Sequence, residues 1–167
     1  MARPPLVQSM TVIDLTTDIH APIERVFDLA RDLDLHAASM GHTGERAVAG
    51  RTTGRVEVGD IVTWRARHFG LWRSLTSRIT EVESPVRFED VQERGPFSWF
   101  RHEHRFEAVG GVTRMYDHWE HRSPLGPIGR VIDRLVLGRY MRSLLATRNA
   151  ALKRAAETPW PRSSATV

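Results

Sequence analysis

Cysteine is absent from the 167 residues, so disulfides, thiolate metal sites and thiol nucleophiles are all excluded. Lysine is almost absent: Lys153 is the only one, and arginine supplies nearly all the positive charge behind the net +4. That charge invites a nucleic-acid partner. The arginines, however, are scattered along the chain with no basic tract and no recognised nucleic-acid motif, so none is expected. A weak attraction to anionic membranes is the more natural consequence of such a balance. No apolar run approaches a membrane span, and the opening "MARPPLVQSM" lacks the apolar centre of a secretory signal. The expectation is a cytoplasmic protein with no transmembrane segment, with room for a transient membrane contact. No serine sits in a nucleophile-elbow motif, and no solenoid-type repeat occurs.

What remains is an ordinary globular composition, 41% hydrophobic and 26% charged, in a chain long enough for one domain with a sizeable core. Residues 1–9 read as a loose N-terminus and 158–167, "TPWPRSSATV", as a flexible tail, because two prolines and small polar residues forbid a helix. The single domain is expected over 10–157. "TVIDLTTDIH" alternates as a strand. "APIERVFDLARD" carries a helical stripe of Ile23, Val26, Phe27 and Ala30, and "LDLHAASM" a second short helix. From about Glu45 to Arg122, strand patterns alternate with short turns, which favours an antiparallel meander. A long helical segment closes the chain. The class is therefore α+β: a curved antiparallel sheet wrapped around a long C-terminal helix, with two short helices after the first strand. Such an arrangement tends to leave a cavity under the helix.

The long segment carries two apolar stripes. Ile128, Val131, Ile132, Leu135 and Val136 lie on one side, and Tyr140, Met141, Leu144, Leu145 and Leu152 lie roughly opposite. One straight helix cannot set both against the same sheet, so a bend is expected between Val136 and Tyr140, at Gly138.

Phasing the strands by polarity selects the cavity residues. In "FRHEHRF" side chains two apart share a face, so Phe100, His102, His104 and Phe106 point inward while Arg101, Glu103 and Arg105 point to water. A one-residue slip would bury three charges. The same reasoning puts Val62, Trp64, Ala66 and His68 together on "VTWRARH" and Leu75, Ser77 and Ile79 on "SLTSRIT". Val86, Phe88, Asp90 and Gln92 share a face of "VRFEDVQ", and Met115, Asp117, Trp119 and His121 a face of "TRMYDHWEH". The last two strands have mixed faces. Apolar walls from Trp64, Phe88, Phe100, Met115 and Trp119, with polar points at His68, Asp90, Gln92, His102, His104 and Asp117, have the makeup of a small-molecule site. His36 and Met40 fall near its mouth, while Trp72 and Trp99 face outward. The plainer account makes each histidine a core residue satisfied by one hydrogen bond, with Asp90 and Asp117 as partners.

Several stretches, "IHAPIERVFDLARDLDLH", "GDIVTWRARHFG", "LTSRITEVESPVRFEDVQERGPFSWFRHEHRF", "TRMYDHWEHRSPLGP" and "RNAALK", carry a resemblance. Together they resemble the SRPBCC superfamily of START-like, helix-grip proteins, and within it the bacterial ligand-binding or cyclase/dehydrase-like group. The resemblance implies a helix-grip fold and a hydrophobic ligand cavity, and no particular reaction, since the superfamily includes lipid carriers and polyketide cyclases alike. Two functions stay open. One is binding of a lipid- or polyketide-like amphipathic molecule. The other is a cyclase or dehydratase using His102, His104 and Asp117 as general acid–base groups. Whether the chain is an enzyme is thus undecided at this level. No cofactor is expected. A metal on the His-x-His pair would need a third ligand from a neighbouring strand, and none is expected here either.

Overall fold

A computed structural model describes residues 10–123 and 136–159. Seven strands form one antiparallel sheet in the order β1-β7-β6-β5-β4-β3-β2. These are β1 (Thr11–Ile19), β2 (Arg46–Gly50), β3 (Ile61–His68), β4 (Leu71–Glu83), β5 (Arg87–Arg94), β6 (Trp99–Val109) and β7 (Val112–Arg122). Helices α1 (Ile23–Ala30) and α2 (Leu33–Ser39) follow β1, and α3 (Gly138–Glu157) ends the described chain. The helix-grip class and the element order are those the sequence pattern predicts.

The alternation that predicts the β6 face also organises its partner. β6 and β7 are joined through Gly110 and Gly111, whose positive φ angles of 57° and 86° allow the tight reversal. From there Val109 faces Val112, and pairing runs without a shift to Trp99 opposite Arg122. Every second residue is buried from Phe100 to Phe106 on β6 and from Thr113 to His121 on β7. On the outer face, Arg101 and Glu103 are half-buried rather than free in water. The Arg101 guanidinium sits 2.7 Å from Glu89, 2.9 Å from Glu103 and 3.4 Å from Glu120.

α1 buries Val26, Phe27 and Ala30, three of the four residues of its predicted stripe. α2 begins where the Asp32 Oδ1 accepts from the backbone N–H groups of Asp34 and Leu35, each at 2.9 Å; an aspartate satisfying the first free donors is a favoured helix start. The apolar core falls into three clusters. Ile19, Phe27, Phe106, Met115 and Leu152 pack under α1 and α3. Ile13, Phe100, Trp119 and Leu145 pack beside them, and Leu33, Val56, Val62 and Ile79 lie beneath α2.

α3 approaches β1, α1 and α2 most closely. It therefore covers the β1 side of the concave face, and the space over β3–β5 is left to the cavity. Regular α-helix begins at Gly138, preceded by a wider helical turn at Val136 and Leu137. Ile128, Val131, Ile132 and Leu135 of the first stripe lie outside the described residues; Val136, its last member, is exposed, and from it the helical backbone runs through Gly138 into α3 without the expected break. The second stripe matches its expected placement: Leu144, Leu145 and Leu152 are buried against the fold.

Candidate ligand-binding cavity

Between the helices and the β3–β6 part of the sheet lies a cavity of ≈550 Å³. Of the eleven residues selected from sequence, Trp64, His68, Phe88, Asp90, Phe100, His102, His104 and Trp119 line it. Gln92, Met115 and Asp117 do not. The Gln92 amide turns to the β5–β6 connection, where its Nε2 donates to the Phe97 carbonyl at 2.8 Å. Met115 is taken up in the core against Ile19, Phe27 and Phe106. Asp117 shares the concave face but sits one layer back, behind the two imidazoles. His36 of α2 and Met40 just beyond it are on the wall. Trp72 faces outward and is half exposed, and Trp99 lies under the Arg122 guanidinium.

The polar end of the cavity is built by register. His104 faces Asp117 across the β6–β7 pair, and His102 faces Asp90 across β5–β6. Asp117 Oδ1 stands 3.1 Å from His102 Nε2 and 2.7 Å from His104 Nδ1; the second contact is close but poorly aligned as a hydrogen bond. Its other oxygen accepts from Asn149 Nδ2 on α3 at 2.5 Å. Burial alone would raise the Asp117 pKa. The His102 hydrogen bond, with the adjacent His104 ring, outweighs it and holds the carboxyl well below its ordinary value.

His104 bridges this carboxylate and a cation. Arg148 Nη1 lies 3.4 Å from His104 Nε2, while Nη2 donates to the Ala30 carbonyl at 3.1 Å. A guanidinium has only donors, so the His104 Nε2 must carry a lone pair and its proton must sit on Nδ1, toward Asp117. Burial, and then the nearby His102 and Arg148, push the His104 pKa well below its ordinary value, which agrees with a neutral ring. His102 uses Nε2 on Asp117, and its Nδ1 has no hydrogen bond to a described residue. That nitrogen is the one left for a ligand.

Asp90 behaves in the opposite way to Asp117. Burial raises its pKa, against the opposing pull of His102 and Arg148. One carboxyl of the cluster is thus held ionised and the other is pushed toward its neutral, proton-donating form. Asp90, His102 and His104 each place a ligand-type atom within 4.8 Å of the others. As a metal site this set fits poorly, because the permanent charge of Arg148 already faces the lone pair of His104.

Phasing the strands leaves out the helix's contribution. Tyr140, Met141, Leu144, Leu145 and Arg148 of α3 all line the cavity. Arg148 lies four residues after Leu144 and three after Leu145, so it belongs to the buried stripe. A charged residue inside an apolar stripe is the signal that could have found it. At the mouth, His68 Nδ1 meets the Tyr140 hydroxyl at 2.8 Å, and burial lowers the His68 pKa despite nearby Glu45. His36 stacks on Trp64, ring centres 4.3 Å apart, with its Nε2 2.5 Å from Glu45. The Glu45 pKa is lowered, the His36 hydrogen bond overcoming the effect of burial.

The family profile described as polyketide cyclase/dehydrase and lipid transport matches residues 10–157. Comparison with curated proteins finds no match. Several solved structures share the fold. A protein of Thermus thermophilus superposes with a TM-score of 0.68 at 20% identity, over 87% of this chain and 99% of its own. A START superfamily protein of Mycobacterium smegmatis gives 0.66 at 14%, covering 87% and 97%. The major latex-like protein 151 of Panax ginseng gives 0.66 at 12%, covering 88% and 97%. At these identities the likeness is one of fold.

Proposed function

We propose that this chain, which belongs to the polyketide cyclase/dehydrase and lipid-transport family of the SRPBCC superfamily, binds an amphipathic molecule, lipid- or polyketide-like, inside its cavity. One observation carries the reading: a mainly apolar chamber of ≈550 Å³ with a buried cluster of Asp90, His102, His104 and Arg148 in its wall, apart from the polar residues at its mouth. The apolar body of the ligand lies against Trp64, Phe88, Phe100 and the α3 leucines. Its oxygen-bearing end meets His102 Nδ1, Asp90 and the Arg148 guanidinium. Asp117 and Asn149 serve indirectly, by fixing the two imidazoles.

The arrangement favours holding over turnover. A general base needs a free lone pair and room to change its proton count. His104 has its lone pair against a guanidinium, which leaves His102 Nδ1 as the one imidazole nitrogen of the pair open to a ligand. A second reading rests on Asp90. A carboxyl biased toward its protonated form opposite His102 is an acid next to a base, the pairing a cyclase or dehydratase would use.

Native mass spectrometry of the purified chain tests both. A co-purifying molecule of lipid or polyketide size that leaves unchanged supports binding. For that ligand, His102→Ala should weaken affinity by about tenfold, the loss of one hydrogen bond. Conversion of a poly-β-ketone at a rate abolished by Asp90→Asn would instead establish the enzyme. An unchanged affinity in both variants would remove the polar cluster from the site.

A further inference from the structure

The β3–β4 hairpin ends in three strongly exposed large apolar side chains: Phe69 at 64%, Leu71 at 57% and Trp72 at 49%. Its loop is the two residues between paired His68 and Leu71. Phe69 has φ 50° and Gly70 φ 80°, the left-handed pair of a tight hairpin turn that ordinarily takes asparagine or glycine first. A phenylalanine there is strained. The fold thus accepts strain to hold an aromatic ring out in water, with its ring centre 4.6 Å from that of Tyr140 on α3.

Along the end of this hairpin the charge has one sign, and the nearest acid, Glu45, is turned into the cavity wall and bound to His36. Residues 63–76, "TWRARHFGLWRSLT", contain three arginines and no acid. The first turns of α3 add exposed Arg139 and Arg142, again with no acid before Glu157. None of Arg65, Arg67, Arg73, Arg139 or Arg142 forms an ion pair with another described residue. Arg65 lies instead over the Trp72 ring, 5.2 Å from its centre, and the Arg67 Nε donates to the Gly70 carbonyl at 3.1 Å. Elsewhere Arg114 pairs with Asp18 at 2.7 Å and Lys153 with Glu157 at 3.4 Å, while exposed Arg46, Arg94, Arg105, Arg122 and Arg154 are spread singly over the fold and flank no comparable apolar cluster. The same tip borders the cavity, since Phe69, Leu71 and Arg73 line it together with Val136 and Tyr140.

We propose that this tip docks on an anionic lipid bilayer. Phe69, Leu71 and Trp72 enter the interfacial layer and the arginines meet lipid phosphates and anionic headgroups. The mouth of the cavity then opens against the membrane rather than into water. A shallow apolar knuckle flanked by arginines that form no ion pair with a described residue is complementary to such a surface. A second copy of the chain is a poorer occupant, because a two-fold interface here would set arginine against arginine. The inference does not depend on the ligand or on whether the cavity catalyses.

Sedimentation of the full chain with vesicles tests it. Vesicles of phosphatidylcholine with about one-third phosphatidylglycerol should carry most of the protein down, pure phosphatidylcholine little, and ~0.5 M salt should release it. Arg65→Glu with Arg67→Glu, and separately Trp72→Asp, should each cut the partition coefficient by about tenfold or more with unchanged circular dichroism. Phe69→Asn is the sharper variant. Asparagine suits the left-handed turn, so the melting temperature should rise while vesicle binding falls, the reverse of what a merely structural phenylalanine would give. Absence of binding, equal binding to both vesicle types, or undiminished binding by all three variants overturns the proposal. Preferential binding of single-stranded DNA, or a dimer formed through this tip, overturns it too.

Discussion

Asp117 is the residue on which the polar cluster turns. It is 1% exposed, and holds its charge because His102 and Asn149 donate to it and the His104 ring lies 2.7 Å away. Asp117→Asn removes the charge and offers an amide NH₂ to one of these donors. The expected cost is about 3 kcal/mol, the range for breaking a buried charged network, read as a lower urea midpoint at unchanged slope. A loss under ~1 kcal/mol would show that the imidazoles hold position without it. His104 gives a pH signature. In the unfolded chain it takes up a proton below about pH 6.5, while the fold keeps it neutral. The stability it contributes is therefore complete above that pH and declines as pH falls toward its depressed folded value. Between about pH 8 and pH 5, on either side of that ordinary value, the native protein should lose more stability than His104→Gln. The comparison isolates His104 from His68, which is shifted the same way, and from His118 and Asp90, which are shifted the opposite way. Parallel losses in the two proteins would show that His104 is protonated in the fold.

Among the elements, β2 is a short, bulged edge strand, and one glycine explains how it pairs at all. The β2–β3 register shifts between Ala47 and Ala49, a bulge that bends the edge strand. Gly50 follows with φ 72°, and a Cβ there would lie 2.0 Å from the Ile61 carbonyl oxygen. Both conformation and space forbid a side chain, so Gly50→Ala should destabilise by roughly 2–4 kcal/mol. Gly59→Ala is a fair control, since its φ of 89° carries the same backbone strain but nothing lies within 4 Å. Equal melting temperatures for the two variants would remove the steric part of the argument. β6 and the helix stripes are legible in the sequence because alternation and 3.6-residue spacing are properties of neighbours along the chain. Strand phase correctly sets Gln92 on the inner face, yet its long side chain swings along the strand to cap Phe97 instead of entering the cavity. Arg148 and Asn149 escape a sequence reading for the complementary reason. The apolar stripe can mark Arg148 as inward-facing, but which groups it and Asn149 meet depends on how α3 is rotated against the sheet, which no local pattern encodes. The strand register that brings His102 and His104 to Asp117 is within reach, since the hairpin turn at Gly110–Gly111 counts off the pairs.

At the scale of the molecule, α3 grips one side of the sheet and leaves the other unfilled, so the fold holds an apolar void that packing alone would close. Filling that void should stabilise the protein and disable it together. Ala66 is 3% exposed on β3 and borders the cavity. Ala66→Trp would project an indole into open space instead of into packed neighbours. Burying its surface should leave the empty protein as stable as before or up to about 2 kcal/mol more so. A ligand that binds only the folded chain adds about 2.7 kcal/mol at a hundredfold excess over Kd, or roughly 5–10 °C for a domain of this size. With 1-anilinonaphthalene-8-sulfonate as the probe, the native chain should show that rise and the substituted chain should not. A full rise in Ala66→Trp would mean the probe sits elsewhere, and the chamber beneath α3 would lose its claim to be the binding site. A large drop in the melting temperature of the empty variant would mean that the wall at β3 is already packed.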